Sequence, residues 1–214
     1  MDRPVQLAKI SLMGSAQPAT LKGRETRDRI IRAAAELVAE HGVAGTSLED
    51  VRAGAHVSKS QLYHYFADRD DLMRAVARAA SDDVVGGQAE LFEHLDTIAG
   101  LRAWSAALVT LQQIRSAKGG CPIGSLAGQL AERDPHARTA LANGLGRWEE
   151  HLRTGLDGLK ARGTLRPTAD SSALATETMA LLQGGLLLTQ LRRDPQQLQI
   201  ALSAALRLLR AEAT

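Results

Sequence analysis

The sequence is short of several things, and each shortage argues against a class of protein. Its 214 residues include a single cysteine, Cys121, so no internal disulfide can form, and the count fits a reducing cytoplasm. No apolar run approaches the ~18 residues of a membrane span, and "LLQGGLLLTQL" is much too short. The opening "MDRPVQLAKISLMGSAQPAT" lacks the continuous apolar stretch of a secretion signal. β-Branched residues are few and no segment alternates apolar with polar side chains for long, which argues against a sheet. Aromatics are scarce too, with two each of Trp, Tyr and Phe.

What is present points to an all-α protein. Leu and Ala dominate an apolar fraction of 44%, enough for a sizeable core, beside an ordinary charged fraction of 23%. The length suits one large domain, or a small one and a larger one. A net charge of +2 says little about partners, but its distribution says more. Up to residue 32 there are seven basic residues (Arg3, Lys9, Lys22, Arg24, Arg27, Arg29, Arg32) against three acidic ones (Asp2, Glu25, Asp28). A basic leading edge suits nucleic acid or an anionic surface; a solvated tail and helix face is the plainer alternative.

Residues 1–23 mix Pro, Gly, Ser and Ala and read as a flexible arm, within which Met13 is a second candidate start. From Arg24 a helix is expected, with Ile30, Ala34, Leu37, Val38 and His41 at helical spacing and Gly42 as its stop. "TSLE" at 46–49 has the form of a capping box, Thr46 serving an N3 amide and Glu49 reaching back, and opens a short helix. "GAHV" at 54–57 turns the chain. "SKSQ" at 58–61 is a second box, opening a helix with Leu62, Tyr63, Tyr65 and Phe66, and Asp68 caps a third start with Asp70 and Asp71 in its first turn. Two short helices joined by a tight turn make a helix-turn-helix, whose second helix can enter the DNA major groove.

The second of these helices holds half of the aromatic residues within four positions, and a groove-binding helix explains why. Such a helix needs free amides and a cation at its start, donors and acceptors on its outer face, and an anchored back. Ser58 and Lys59 occupy the first turn, Ser60 and Gln61 project outward, and Gln61 suits a bidentate pair with adenine. Tyr63 and His64 flank that side, within reach of phosphates. Leu62, Phe66 and part of Tyr65 form the back.

The stretch "RETRDRIIRAAAELVAEHGVAGTSLEDVRAGAHVSKSQLYHYFADRDDL" resembles the DNA-binding domain of the TetR/AcrR (tetracycline-repressor-like) family. The shared elements are the start from Thr26 to Ala34, the "HG" stop, the "TSL" cap and "VSKSQLYHYF". The resemblance spans residues 24–84, most strongly 47–66. "GGCPIGSLAGQLAERDP" and "RWEEHLRTGL" resemble a C-terminal domain of one subgroup. The resemblance implies a helical homodimer, its N-terminal helix-turn-helix units binding a palindromic operator on double-stranded DNA. A C-terminal effector-binding and dimerisation domain, 85–214, would hold a small-molecule ligand. Thr46, Lys59, Tyr63 and His64 match positions that usually touch phosphates or bases, and Arg69 stands where a Lys commonly contacts phosphate. With Ser47, Ser58, Ser60 and Gln61 these are the candidate DNA contacts. Ser60 and His56 both stand where Gly is common in the family.

Beyond residue 85, helices are expected near 88–116, 122–133, 135–162, 170–192 and 195–212, with Asp134-Pro135 and Asp194-Pro195 as cap followed by Pro at N1. Helix 170–192 is apolar nearly all round, and helix 195–212 repeats Leu198, Leu202, Ala205 and Leu209. We expect the two to form a four-helix dimer interface through Leu174, Leu181, Leu182, Leu188, Leu198, Leu202 and Leu209; an ordinary protomer core is the alternative. Paired recognition helices would then lie one helical turn of DNA apart, ~34 Å, or a multiple of it. Phe92, Trp104, Cys121 and Trp148 are candidate pocket residues, with plain core packing the rival role for each. So few rings suggest an aliphatic pocket and an apolar effector.

Catalysis finds little support. Cys121 before Pro122 invites comparison with a thiol nucleophile, yet the sequence places no histidine near it. The six histidines form no H-x-x-x-H or H-E-x-x-H pair, so no metal site is expected. "GLG" at 144–146 lacks the preceding strand and third glycine of a dinucleotide loop, so no cofactor is expected either. The remaining rival is an interaction module in which helix 58–66 is merely a solvated face. A redox role for Cys121, and activation in place of repression, stay open.

Overall fold

The computed structural model describes residues 20–213, all helix and connections. Residues 1–19, with Met13 and most of the expected arm, lie outside the described residues. Leu21–Gly23, expected in the arm, instead begin the first helix, α1 (Leu21–His41), because Thr20 caps it by accepting from the Gly23 amide at 3.1 Å. There follow α2 (Leu48–Gly54), α3 (Lys59–Tyr65) and α4 (Arg69–Gly86), then α5 (Ala89–Phe92), α6 (Ile98–Ile114), α7 (Pro122–Leu130), α8 (Pro135–Ala161), α9 (Ser171–Arg192) and α10 (Gln196–Ala211). Among the described residues the one β feature is an isolated antiparallel bridge between Leu165 and Ala213.

The helix starts follow from local chemistry. Asp68, Asp134 and Asp170 each accept amide protons from the first turn of α4, α8 and α9. Asp194 lies one step further out than expected: α10 begins at Gln196 after Pro195, and the Asp194 carboxylate still accepts from the Gln196 amide at 2.9 Å. The expected helix 88–116 is broken at 93–97. Thr97 caps a fresh start, and a Cβ on Gly100 would lie 1.8 Å from the His94 carbonyl oxygen, so the chain can fold back this tightly only over glycine.

α1, α2 and α3 gather around Ile30, Ala34, Val51, Leu62 and Phe66, all 2% exposed or less. α4 packs against α1 on one side and against α7 and α8 on the other, joining this N-terminal unit to the helical body. In the body, Trp104, Leu141, Trp148 and Leu152 fill the centre, and α9 lies along α10 with Leu182, Leu198 and Leu202 between them. Burial of each such leucine is worth about 1.5–3 kcal/mol, so this packing, more than helix propensity, holds the short helices in place.

Candidate nucleic-acid interface

α2 and α3 form the helix-turn-helix. In the turn His56 adopts φ +51°, the left-handed conformation that glycine takes at least cost. α3 opens on the expected capping box: Ser58 Oγ accepts from the Gln61 amide at 3.1 Å, and Gln61 Oε1 accepts from the Ser58 amide at 2.9 Å. Its back is anchored, Leu62 being 2% and Phe66 1% exposed, with the Arg27 guanidinium 5.4 Å from the centre of the Phe66 ring. Lys59, Ser60, Gln61, Tyr63 and His64 are exposed along the outside, and Tyr65 is half-buried with its ring edge-on to His64. The outer face thus offers an ammonium, two hydroxyls, an amide and an imidazole over a rigid base. One lone pair of the Gln61 oxygen is used in the cap, and the second lone pair and the amide N–H groups are left for a contact with adenine.

Two expectations change at α2. Its cap is Ser47, not Thr46, and the box partner is Asp50, not Glu49: Ser47 Oγ accepts from the Asp50 amide at 3.1 Å and Asp50 Oδ2 accepts from the Ser47 amide at 3.2 Å. Glu49 instead binds the Arg52 guanidinium. Thr46 is 2% exposed and its hydroxyl donates to the Gly42 carbonyl at 2.9 Å, which removes it from the surface where DNA would lie, while Ser47 stays exposed. Arg69 is likewise engaged inward. Its guanidinium donates to the carbonyls of Val43 and Thr46, holding the α1–α2 corner to the start of α4, and the side chain is half-buried.

The body meets the N-terminal unit through polar ties as well as packing. Arg74 of α4 donates to Asp134, the cap of α8, at 2.7 Å, and Arg147 of α8 donates to Asp82 at 2.6 Å. Burial pushes the Asp134 carboxyl upward, but the Ala137 amide, the Arg74 guanidinium and the His136 amide outweigh it and hold the group below the usual carboxylate range. From α7, Gln129 Oε1 accepts from the Val43 amide at 2.7 Å.

A cleft of about 900 Å³ opens between α1, α4, α6 and the start of α7. Ile31, Ala35, Ala80, Leu108 and Leu186 give it aliphatic walls, and Asp28, Arg32, Glu36, Asp82, Asp83 and Arg115 line it as well. Two of the four predicted pocket residues, Cys121 and Trp148, line it; Phe92 and Trp104 do not. Phe92 stacks on His151 at 4.3 Å, and Trp104 donates its indole N–H to Gln88 at 2.8 Å inside the core. Sequence reading missed the contribution of α1, because nothing in the pattern of Ile31 and Ala35 separates a cleft wall from an ordinary buried face. Cys121 caps α7, its sulfur accepting from the Gly124 amide at 3.5 Å.

The leucines expected at a dimer interface divide. Leu174, Leu182, Leu198, Leu202 and Leu209 are 0–7% exposed within the single chain, so they hold the protomer together and are not available to a second copy. Leu181 is half-buried and Leu188 is 40% exposed. Other exposed apolar residues on the same two helices are Leu187, Leu191, Ile200 and Leu208. Among the described residues no group of three or more His, Cys, Asp or Glu side chains is placed to hold a metal ion, and no helix is long and apolar enough to cross a membrane.

An all-helical chain with a capped helix-turn-helix on a larger helical body defines a class of DNA-binding regulator. Residues 30–76 match the model for bacterial regulatory proteins of the tetR family, and residues 97–205 match that for the tetracyclin repressor-like C-terminal domain. The chain belongs to the TetR family of transcriptional regulators, a family of regulators rather than enzymes. It is 26% identical over 171 residues to the transcriptional regulator AcuR of Cereibacter sphaeroides, covering 79% of this chain and 78% of AcuR. The structure of a TetR transcriptional regulator from Chloroflexus aurantiacus, 26% identical, superposes with a TM-score of 0.74 over 91% of this chain and 98% of that one. Escherichia coli NemR in its reduced form, 20% identical, shares the fold with a TM-score of 0.73, covering 85% and 95% of the two chains.

Proposed function

We propose that this regulator is a cytoplasmic, ligand-responsive repressor that binds a palindromic operator as a homodimer and releases it when a small apolar effector binds. The DNA-binding unit is residues 24–84 and the effector and dimerisation unit 85–214. The observation that carries the DNA reading is the outer face of α3. Lys59, Ser60, Gln61, Tyr63 and His64 are exposed together, while Leu62 and Phe66 beneath them are buried. We assign phosphate contact to Lys59, Tyr63 and His64, with Ser47 and Ser58 at the two helix starts, and base contact to Ser60 and Gln61.

Dimerisation is supported by Leu187, Leu188 and Leu191 of α9 and Ile200 and Leu208 of α10, each 40–70% exposed on adjacent helices. Effector binding is supported by the cleft, whose aliphatic walls suit an apolar group and whose volume lies within the range of small-molecule sites. The cleft touches α1 and α4 of the DNA-binding unit and Cys121 at the head of α7, so a ligand there meets both units at once. Release follows if the ligand prefers an arrangement whose two α3 helices no longer match the operator spacing. The test is selection of bound duplexes from a random pool by the purified protein. Enrichment of a two-fold symmetric sequence supports the proposal, and a pool that stays random overturns it.

A further inference from the structure

We infer that Gln129 is a positioning residue for DNA recognition: by gripping the α1–α2 corner from α7 it fixes the attitude of the helix-turn-helix on the body, and so sets the half-site spacing the dimer accepts. The inference rests on the dimeric DNA-binding reading above. Gln129 Nε2 donates to the Ser125 carbonyl at 3.2 Å, which turns the amide so that Oε1 faces out from α7. That oxygen accepts from the Val43 amide at 2.7 Å, across 86 residues of sequence. Val43 is 7% exposed, and its carbonyl is held by Arg69, which also holds the Thr46 carbonyl. The corner is thus clamped from both sides, by the body through Gln129 and by the helix that follows α3 through Arg69.

Two further observations mark the contact as close-fitting. Gly42, at φ +73°, brings the corner backbone so near that a Cβ there would lie 3.0 Å from Gln129 Oε1. The recess around the contact is lined by Arg69 and Arg133 as well as Asp70 and Asp134, so the amide oxygen sits among balanced charges. The Arg74–Asp134 and Arg147–Asp82 pairs hold α4 to α8, and Arg69 holds the corner to the start of α4. The tie from Gln129 to Val43 adds a direct hold of α7 on the corner and so opposes a tilt of the helix-turn-helix on the body. Its angle matters because one added base pair moves a half-site by about 3.4 Å and turns it by roughly a tenth of a helical turn.

The experiment compares full-length wild type, Gln129→Leu and Gln129→Glu on the palindrome that wild type selects. The same duplex is also used with its centre lengthened or shortened by one base pair, and with single base changes in the half-sites. Leu removes the acceptor at similar size, whereas Glu loses the donor to Ser125 but keeps carboxylate oxygens that can accept from the Val43 amide. Fluorescence anisotropy should show wild type and Gln129→Glu losing about tenfold or more on the altered spacings. Gln129→Leu should lose less than about threefold while keeping wild-type preference at each base. If Gln129→Leu fails to fold by circular dichroism, Gln129→Ala takes its place. A full spacing penalty in the acceptor-less variant, or a wild type indifferent to spacing, overturns the inference while leaving DNA binding intact. Failure of wild type to select any duplex refutes the underlying reading instead.

Discussion

Asp134 joins two roles whose energies can be separated by substitution. Its carboxylate accepts from the His136 amide at 2.8 Å and the Ala137 amide at 3.1 Å, capping the longest helix, and from Arg74 at 2.7 Å, tying the body to α4. Loss of a cap costs about 1 kcal/mol. The ion pair lies between the exposed and buried cases, with side chains 31% and 11% exposed, and breaking it should cost about 1–2 kcal/mol. Asp134→Asn keeps a capping oxygen and loses the charge, so it should be destabilised by about 1–2 kcal/mol, and Asp134→Ala by about 2–3 kcal/mol. For a chain of this size these correspond to falls in Tm of about 2–8 °C and 4–12 °C. Denaturation should be followed at one fixed protein concentration, since association alters apparent stability. The pH dependence has a definite sign. The folded carboxyl is held below its unfolded value, so its contribution is present above about pH 4 and is lost as pH falls through the folded pKa. Wild type and Asp134→Asn should therefore converge in acid. Equal stability at pH 7, or a double-mutant coupling with Arg74→Ala below ~0.3 kcal/mol, would refute the reasoning.

Lys59→Ala should weaken binding to all DNA sequences alike and flatten the dependence of log affinity on log salt by about one unit per half-site, read from titrations across a salt series. Gln61→Ala should instead relax preference at one base position, costing about 1–3 kcal/mol per half-site contact in competition assays with base-substituted operators. Replacing Leu191 and Ile200 together by Glu puts charge on side chains that are 70% and 57% exposed in the protomer, so the fold should survive. Light scattering at micromolar concentration should then report a monomer where wild type reports a dimer, and an unchanged mass would exclude this face.

Much of the fold was legible because helix starts are written in short, local chemistry. Ser58 to Gln61, Asp68 and Asp134-Pro135 each name a cap and its partner within four residues, and the structure uses all three. Where two local solutions compete, burial decides. Either Thr46 with Glu49 or Ser47 with Asp50 satisfies the capping pattern, and Thr46 is drawn inside because its hydroxyl can reach the Gly42 carbonyl. The break at 93–97 was invisible because apolar spacing runs through it, and the fold-back over Gly100 is set by a contact with His94. The leucines of α9, spread round much of the helix, likewise say that several faces are covered without saying which neighbour covers each, so leucines of the protomer core looked the same as those left outside. Arg69 read as a surface charge because its partners, two backbone carbonyls more than twenty residues away, leave no mark in sequence.

The exposed side of α3 is where this protein should read its operator. The direct test strips Lys59, Ser60, Gln61, Tyr63 and His64 to alanine together, leaves Leu62 and Phe66 in place, and repeats the selection of duplexes from a random pool. A folded variant that enriches no sequence is the predicted result. A folded variant that recovers the wild-type palindrome would place recognition elsewhere on the molecule.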